Sequence, residues 1–191
     1  MKKIVLDIET KNTFSQVGST DAARLDLSLL VVYDFETDRY QSFLEQELPK
    51  LWPLLERTDL IIGYNSDTFD IPLLNKYYSG DLTKIKSLDL LVEIRKSLGR
   101  RLSLDMVAAG TLGAGKSGDG LAAVRWWQQG EIEKIRHYCQ EDVRLTKELY
   151  EYALAHQHLR YKIIQEVKQF PIDTSRWDEP ASSTLNYTLP W

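Results

Sequence analysis

The sequence predicts an α/β fold, a mixed central sheet flanked by helices. Three observations lead there. Short β-branched and apolar runs bounded by turn residues recur from Lys3 to Leu88. Helical periodicity dominates from Leu90 onward. The strands come first, in hairpin and then crossover order, and the helices follow.

Lys3 to Ile8 reads as a short buried strand that ends in acidic residues. Leu27 to Phe35 reads as a second strand, and Arg39 to Phe43 pairs with it as a hairpin across Glu36-Thr37-Asp38. Leu48 to Leu55 carries apolar residues at helical spacing after Pro49. Asp59 to Gly63 is a buried strand, Ile71 to Tyr78 a helix, and Lys84 to Leu88 a further strand. The longest helix runs from Glu131 to Ala155, with Ile135, Tyr138, Cys139, Val143, Leu145, Leu149 and Tyr152 at helical spacing. The glycine-rich stretch Gly110 to Gly120 interrupts the helical region, and Tyr161 to Ile172 reads as a strand or hairpin. Residues 1–172 therefore form one expected domain. Residues 173–191 read as a tail, whose Trp177, Tyr187 and Trp191 offer to dock it onto the body, a protein partner or a second copy.

Composition narrows the function classes. An apolar fraction of 43% with five Trp in 191 residues supports a sizeable core rather than disorder. The single cysteine, Cys139, excludes an intramolecular disulfide framework and fits a reducing cytoplasm. Asp7 and Glu9 interrupt the apolar run after Met1-Lys2-Lys3 too soon for a signal peptide, and no apolar stretch is long enough for a membrane span. A soluble, cytoplasmic protein is expected. The net charge of −4 argues against a protein that coats nucleic acid, though not against an enzyme acting on it. Arg95, Lys96, Arg100 and Arg101, and later Arg160, Lys162 and Lys168, form local basic clusters that read as solvated faces.

Three acidic segments carry chemistry. In a strand, alternate residues share a face, so Asp7 and Glu9 point one way while Ile8 points into the core. Two such carboxylates repel unless a cation or proton compensates, which makes the strand end a candidate hard-metal site. Asp70 closes Gly63-Tyr64-Asn65-Ser66-Asp67-Thr68-Phe69-Asp70 and opens a helix, so it reads either as a helix cap, with Asp67 a nearer competitor, or as a ligand. In Tyr138-Cys139-Gln140-Glu141-Asp142, the four-residue step puts Tyr138 and Asp142 on one helix face. A carboxylate on that apolar face needs a partner, and a metal shared with Asp7 would be one.

Asp7-Ile8-Glu9-Thr10, Gly63 to Leu74 and Tyr138 to Val143 together resemble the three exonuclease motifs of the DEDD superfamily, in order and with family-like separations. They are most similar to the DEDDy subgroup and to the proofreading domain of family B DNA polymerases, and Leu102 to Ala108 resembles the segment between the second and third motifs. The resemblance covers about residues 1–155 and implies a ribonuclease H-like fold. It implies Asp7, Glu9, Asp70 and Asp142 as ligands of two divalent ions, Mg2+ or Mn2+, and Tyr138 as the tyrosine that orients the attacking water. It also implies that Thr10, Asn65 and Phe69 contact the 3′-terminal nucleotides. His137, five residues before Asp142, matches the histidine spacing of the sister subgroup, but in an unbroken helix that step turns about 140° away from the Asp142 face. Tyr138 is therefore assigned the role.

Gly110 to Ser117 also matches the phosphate-loop pattern G-x-x-x-x-G-K-[ST]. That pattern requires a strand before it and a helix opening at the Lys-Ser, whereas Leu102 to Ala109 reads as helix and Gly118-Asp119-Gly120 follows. Lys116 is expected instead on a loop near substrate phosphates. The expected function is a two-metal 3′→5′ exonuclease acting on single-stranded or frayed 3′ ends, of DNA in preference to RNA. A catalytically inactive nucleic-acid-binding module of the same fold and an NTP-binding protein are the alternatives.

Overall fold

Lys3–Thr10 (β1) lies at the centre of a five-stranded sheet, buried on both faces. The computed structural model describes residues 1–115 and 121–179. After β1 come a short helix α1 (Phe14–Val17), strands β2 (Leu27–Asp34) and β3 (Arg39–Leu44), helix α2 (Trp52–Leu55) and strand β4 (Leu60–Gly63). Helix α3 (Asp70–Asn75), strand β5 (Lys86–Asp89) and helices α4 (Leu90–Leu98), α5 (Leu104–Thr111), α6 (Ala122–Gln128) and α7 (Ile132–His156) follow, then a hairpin of β6 (His158–Ile163) and β7 (Glu166–Pro171). The strand order is β3-β2-β1-β4-β5. β2 pairs with β1 and β3 antiparallel, whereas β4 and β5 run parallel to β1, so the sheet is mixed as expected.

The alternation of β1 sorts two cores. Val5 joins Val31, Ile62, Ile135, Cys139 and Val143 under α7. Ile4, Leu6 and Ile8 join Leu30, Val32, Ile61, Leu73 and Leu74 on the other face, under α3. Asp7 and Glu9 have the parity of Val5 and so belong to the face that α7 covers. Chain order reverses between β1 and β4: the chain first builds outward through β2 and β3, then returns to add β4 and β5 on the other side of β1. In an open α/β sheet that reversal opens a crevice beyond the carboxyl ends of the parallel strands. β1, β4 and β5 all end there.

Several elements differ from their sequence reading. The helix expected over Leu48 to Leu55 is divided into a 3-10 turn, Glu45–Lys50, and α2, with Pro49, which has no N–H to donate, inside the turn. The second sheet begins at His158, earlier than the expected Tyr161, because Gln157 takes a left-handed conformation (φ 57°) that ends α7 and turns the chain directly into β6. The segment after β7 lies against the body. Trp177 is 3% exposed and stacks on Tyr150 at 5.8 Å, while Lys86 Nζ donates to the carbonyls of Arg176, Trp177 and Glu179 at 2.9, 2.9 and 2.7 Å. Tyr187 and Trp191 lie outside the described residues.

Gly110 sits in the last turn of α5 and lets that helix approach β6. A Cβ there would stand 2.5 Å from the Tyr161 backbone, and Thr111 Oγ1 locks the same contact by donating to the Arg160 carbonyl at 2.7 Å. In an exposed helix, Gly→Ala stabilises by about 1 kcal/mol. Here Gly110→Ala should reverse that sign and destabilise by about 1–3 kcal/mol, the usual cost of overpacking, as measured by denaturant unfolding.

Candidate active site

The site is assembled from the carboxyl end of β1 and the middle of α7. One carboxylate oxygen from each of Asp7, Glu9 and Asp142 lies within 4.8 Å of the others. Glu9 and Asp142 are buried and Asp7 is half-buried. The pairing of β1 with β2 shifts between Glu9 and Thr10, an irregularity that ends regular pairing just beyond the acids. Cys139, next to Tyr138 on α7, donates its thiol to the Asp7 carbonyl at 3.2 Å and to Asp7 Oδ2 at 3.4 Å. Burial, with the charges of Asp7 and Glu9, pushes that thiol well up, so it stays a proton donor to Asp7.

Asp70 stands beside this trio rather than within it. It occupies the first position of α3, where Phe69 is the cap residue and no side chain caps the helix. The cap reading is therefore overturned for Asp70, and for Asp67 too, whose Oδ1 instead accepts from Ser87 Oγ at 2.6 Å. Asp70 is 3% exposed, and its Oδ1 is buried with no hydrogen-bond partner among the described residues. Burial pushes its carboxyl up to about 8, against hydrogen bonds from the backbone at Ile8 and at Asp70 itself that pull it down; the charges of Asp89 and Asp142 add to the rise. An all-oxygen donor set suits a hard divalent cation, and the bare Asp70 oxygen is an acceptor such a cation would satisfy. The residues present fit a metal centre.

Tyr138 is 4% exposed and packs edge-to-face on Trp126 at 5.6 Å, one turn before Asp142. His137 is exposed. The Thr10 hydroxyl donates to the Asn12 carbonyl at 2.8 Å, inside its own turn. Asn65 takes a left-handed backbone (φ 68°) and its side chain accepts from Thr68 and Arg101. Phe69 is half-buried and meets Phe14 edge-on at 6.0 Å. Lys116 lies outside the described residues. The first glycine of the phosphate-loop pattern, Gly110, is helical and follows no strand, so the fold does not meet that motif's requirement. A cavity of about 1090 Å3 opens elsewhere, between β5 and the segment after β7, and none of the trio lines it.

Sequence reasoning passed over Asp89. It ends β5 and caps α4, accepting from the backbone N–H of Leu91 at 2.9 Å, Asn65 at 2.8 Å and Asp67 at 3.2 Å. The signal was present: an aspartate immediately before a helical apolar run is a cap signature. Its link to the Asn65–Asp70 loop is a tertiary contact with no trace in the local pattern.

This geometry agrees with the comparisons. A family model of the RNase H superfamily matches residues 4–154. The chain belongs to the RNase H superfamily. Among solved structures it is similar to the family B DNA polymerase of the hyperthermophilic archaeon Pyrobaculum calidifontis, with a TM-score of 0.62 over 81% of this chain at 20% identity. The chain spans about a quarter of that polymerase, 24% of its length. No curated protein matches it in sequence. As an RNase H superfamily member it has a nuclease fold, with an acidic cluster where β1 ends. Among the described residues no helix is long and apolar enough to cross a membrane.

The raised carboxyl of Asp70 has a consequence for stability. Its folded value, about 8, exceeds the ordinary 3.8, so the folded state holds a proton that the unfolded state releases. The resulting stabilisation is full below about pH 4 and is lost as pH rises through about 8. Asp70→Asn, which mimics the protonated form, should therefore gain on the unmodified protein between pH 5 and 8 in the presence of chelator. Thermal melts should show the gap in Tm widening by several degrees, since 1 kcal/mol moves Tm by about 2–4 °C at this size.

Proposed function

We propose that this RNase H-like protein is a metal-dependent 3′→5′ exonuclease that removes nucleoside monophosphates from single-stranded or frayed 3′ ends, DNA being favoured over RNA. The convergence of Asp7, Glu9 and Asp142, from elements far apart in sequence, is the observation that carries this reading. Its support from similarity is the agreement between the motif resemblance and the polymerase-like fold.

Asp7, Glu9 and Asp142 would hold the divalent ions, with Asp70 completing the set from the start of α3. Bound Mg2+ or Mn2+ supplies an activated water and charge stabilisation at the leaving 3′ oxygen. The Tyr138 hydroxyl, one helical turn from Asp142, orients that water. Cys139 fixes the Asp7 carboxylate by hydrogen bonding to it and fills the space beneath the site. Asp89 holds the Asn65–Asp70 loop by two backbone bonds, from Asn65 and Asp67, so that Asn65 and Phe69 are presented to the 3′ nucleotide on a braced loop. Phe14 is 37% exposed beside Phe69, and the pair offers a face on which a terminal base stacks without sequence preference. An unpaired end fits such a surface better than a duplex, whose bases are already stacked.

The test is a panel of single-stranded and frayed DNA and RNA oligonucleotides, with free or blocked 3′ ends, in Mg2+ or Mn2+. Free 3′ ends should be shortened one nucleotide at a time and blocked ends spared. Asp7→Ala and Asp142→Ala should remove turnover. Tyr138→Phe should lower kcat by about 10²-fold, as loss of a positioned proton-handling group does, with His137→Ala having far less effect. Persistent activity in Asp7→Ala, or cleavage within blocked strands, would sink the reading.

A further inference from the structure

Several of the described basic side chains on the surface are engaged by carboxylates or rings. Lys96 pairs with Glu93, Arg136 with Glu133, and Arg144 with Glu141 and Glu148. Arg100 lies over the Tyr161 ring at 4.9 Å. Arg101 differs. It is exposed, yet its guanidinium is held in place by a neutral group, donating through Nη2 to Asn65 Oδ1 at 2.6 Å. Among the described residues no carboxylate lies within ion-pair distance of it. Its charge is therefore fixed in position without being neutralised.

The position is informative. Asn65 is the second residue beyond β4, in the loop that leads to Asp70. β4 is in parallel register with β1, Val5 facing Ile62, so the loop leaves β4 on the side of the sheet where β1 carries its acids toward its carboxyl end. Asn65 is pinned from below by Asp89 at 2.8 Å, and Tyr64 ties the loop to the segment bearing Arg101 by donating to the Leu102 carbonyl at 3.0 Å. The guanidinium thus stands beside the loop that leaves the carboxyl end of β4, at the rim of the crevice, held by its bond to Asn65 while Tyr64 fixes the adjoining Leu102 backbone to the same loop. A polyanionic strand approaching three clustered carboxylates is repelled, and a fixed cation at the rim offsets that repulsion. An arginine presents five N–H donors in a planar fork suited to a phosphate, and the bond to Asn65 leaves a pair of them for one.

We infer that Arg101 binds a non-scissile backbone phosphate of the substrate strand, and that Asn65 positions its guanidinium to do so. This rests on the nuclease reading for its substrate class, but not for its test. Binding of a fluorescent single-stranded oligonucleotide to Asp142→Ala, read by anisotropy at several salt concentrations, is compared with that of Asp142→Ala carrying Arg101→Ala, Arg101→Lys or Arg100→Ala. Arg101→Ala should weaken binding about tenfold and make the slope of log K against log salt shallower by about 0.7, the signature of one lost contact to a single strand. Arg101→Lys should restore the slope and only part of the affinity, because it keeps the charge and loses the fork. In the active protein, Arg101→Ala should raise KM by a larger factor than it lowers kcat. An unchanged slope, an equal effect from Arg100→Ala, or no measurable binding overturns the inference. An inactive but strand-binding protein would instead sink the nuclease reading and leave the slope to decide Arg101.

Discussion

Like charge held at close range is the constraint from which the rest of this molecule follows. At an effective dielectric of about 20, two unit charges somewhat under 5 Å apart repel by on the order of 3–4 kcal/mol. Asp7, Glu9 and Asp142 make three such pairs within 4.8 Å, and the sum is comparable with the whole stability of an ordinary domain, about 5–15 kcal/mol. A fold tolerates that only if positive charge or protons are brought to the cluster, and only if the scaffold is too stiff to relax by splaying the carboxylates apart. The first requirement makes the cluster a candidate site for cations. The second explains why the trio rests on the central strand of the sheet and the longest described helix rather than on loops.

The stiffness is visible in how β1 is used. Its even-numbered apolar residues, Ile4, Leu6 and Ile8, are sealed under α3 and its neighbours. On the other face Val5 is covered by the α7 side chains Ile135, Cys139 and Val143. Asp7 and Glu9 continue the Val5 row past the edge of that cover, where α7 supplies Asp142 in place of another apolar side chain. A strand clamped on both faces cannot rotate its acids away. The reversal of strand order between β1 and β4 then places an opening beyond the carboxyl ends of the parallel strands, so the same topology that buries the acids leaves them at a crevice.

Those features were legible because they depend on short-range periodicity. The alternation of Asp7 and Glu9 around Ile8, and the four-residue step from Tyr138 to Asp142, fix shared faces without any knowledge of the fold. The helix angle alone turns His137 off the Asp142 face, and His137 is exposed. What local pattern could not give was anything decided across the sheet. Asp70 follows a loop and opens a helix, and so reads as a cap, yet Phe69 occupies the cap position and Asp70 turns into the interior. Asp89 has the local pattern of a cap and is one, but its bonds to Asn65 and Asp67 join residues more than twenty positions apart. Cys139 counted as one more apolar position on a helix stripe, and only the docking of α7 on β1 sets its sulfur against Asp7. Gly110 completed a phosphate-loop pattern in sequence, while in the fold it is the point where a helix touches the backbone of a hairpin.

The site therefore has two kinds of support. The acids of β1 and α7 are placed by packing, which is insensitive to the identity of any one neighbour. Asn65, Phe69 and Asp70 lie on or beside a loop whose geometry hangs on the Asp89 carboxylate and on a left-handed residue at Asn65, two local devices that a single substitution removes. Asp89 is itself buried and its carboxyl is pushed up by that burial, so the three backbone N–H groups that it accepts from are what make its ionised form tolerable there. Brace and carboxylate are mutually dependent: without the loop's N–H groups Asp89 would be a buried charge with little to hold it. The Asn65–Asp70 loop is thus made rigid by the same principle as the acidic trio, a carboxylate placed where it must find a partner.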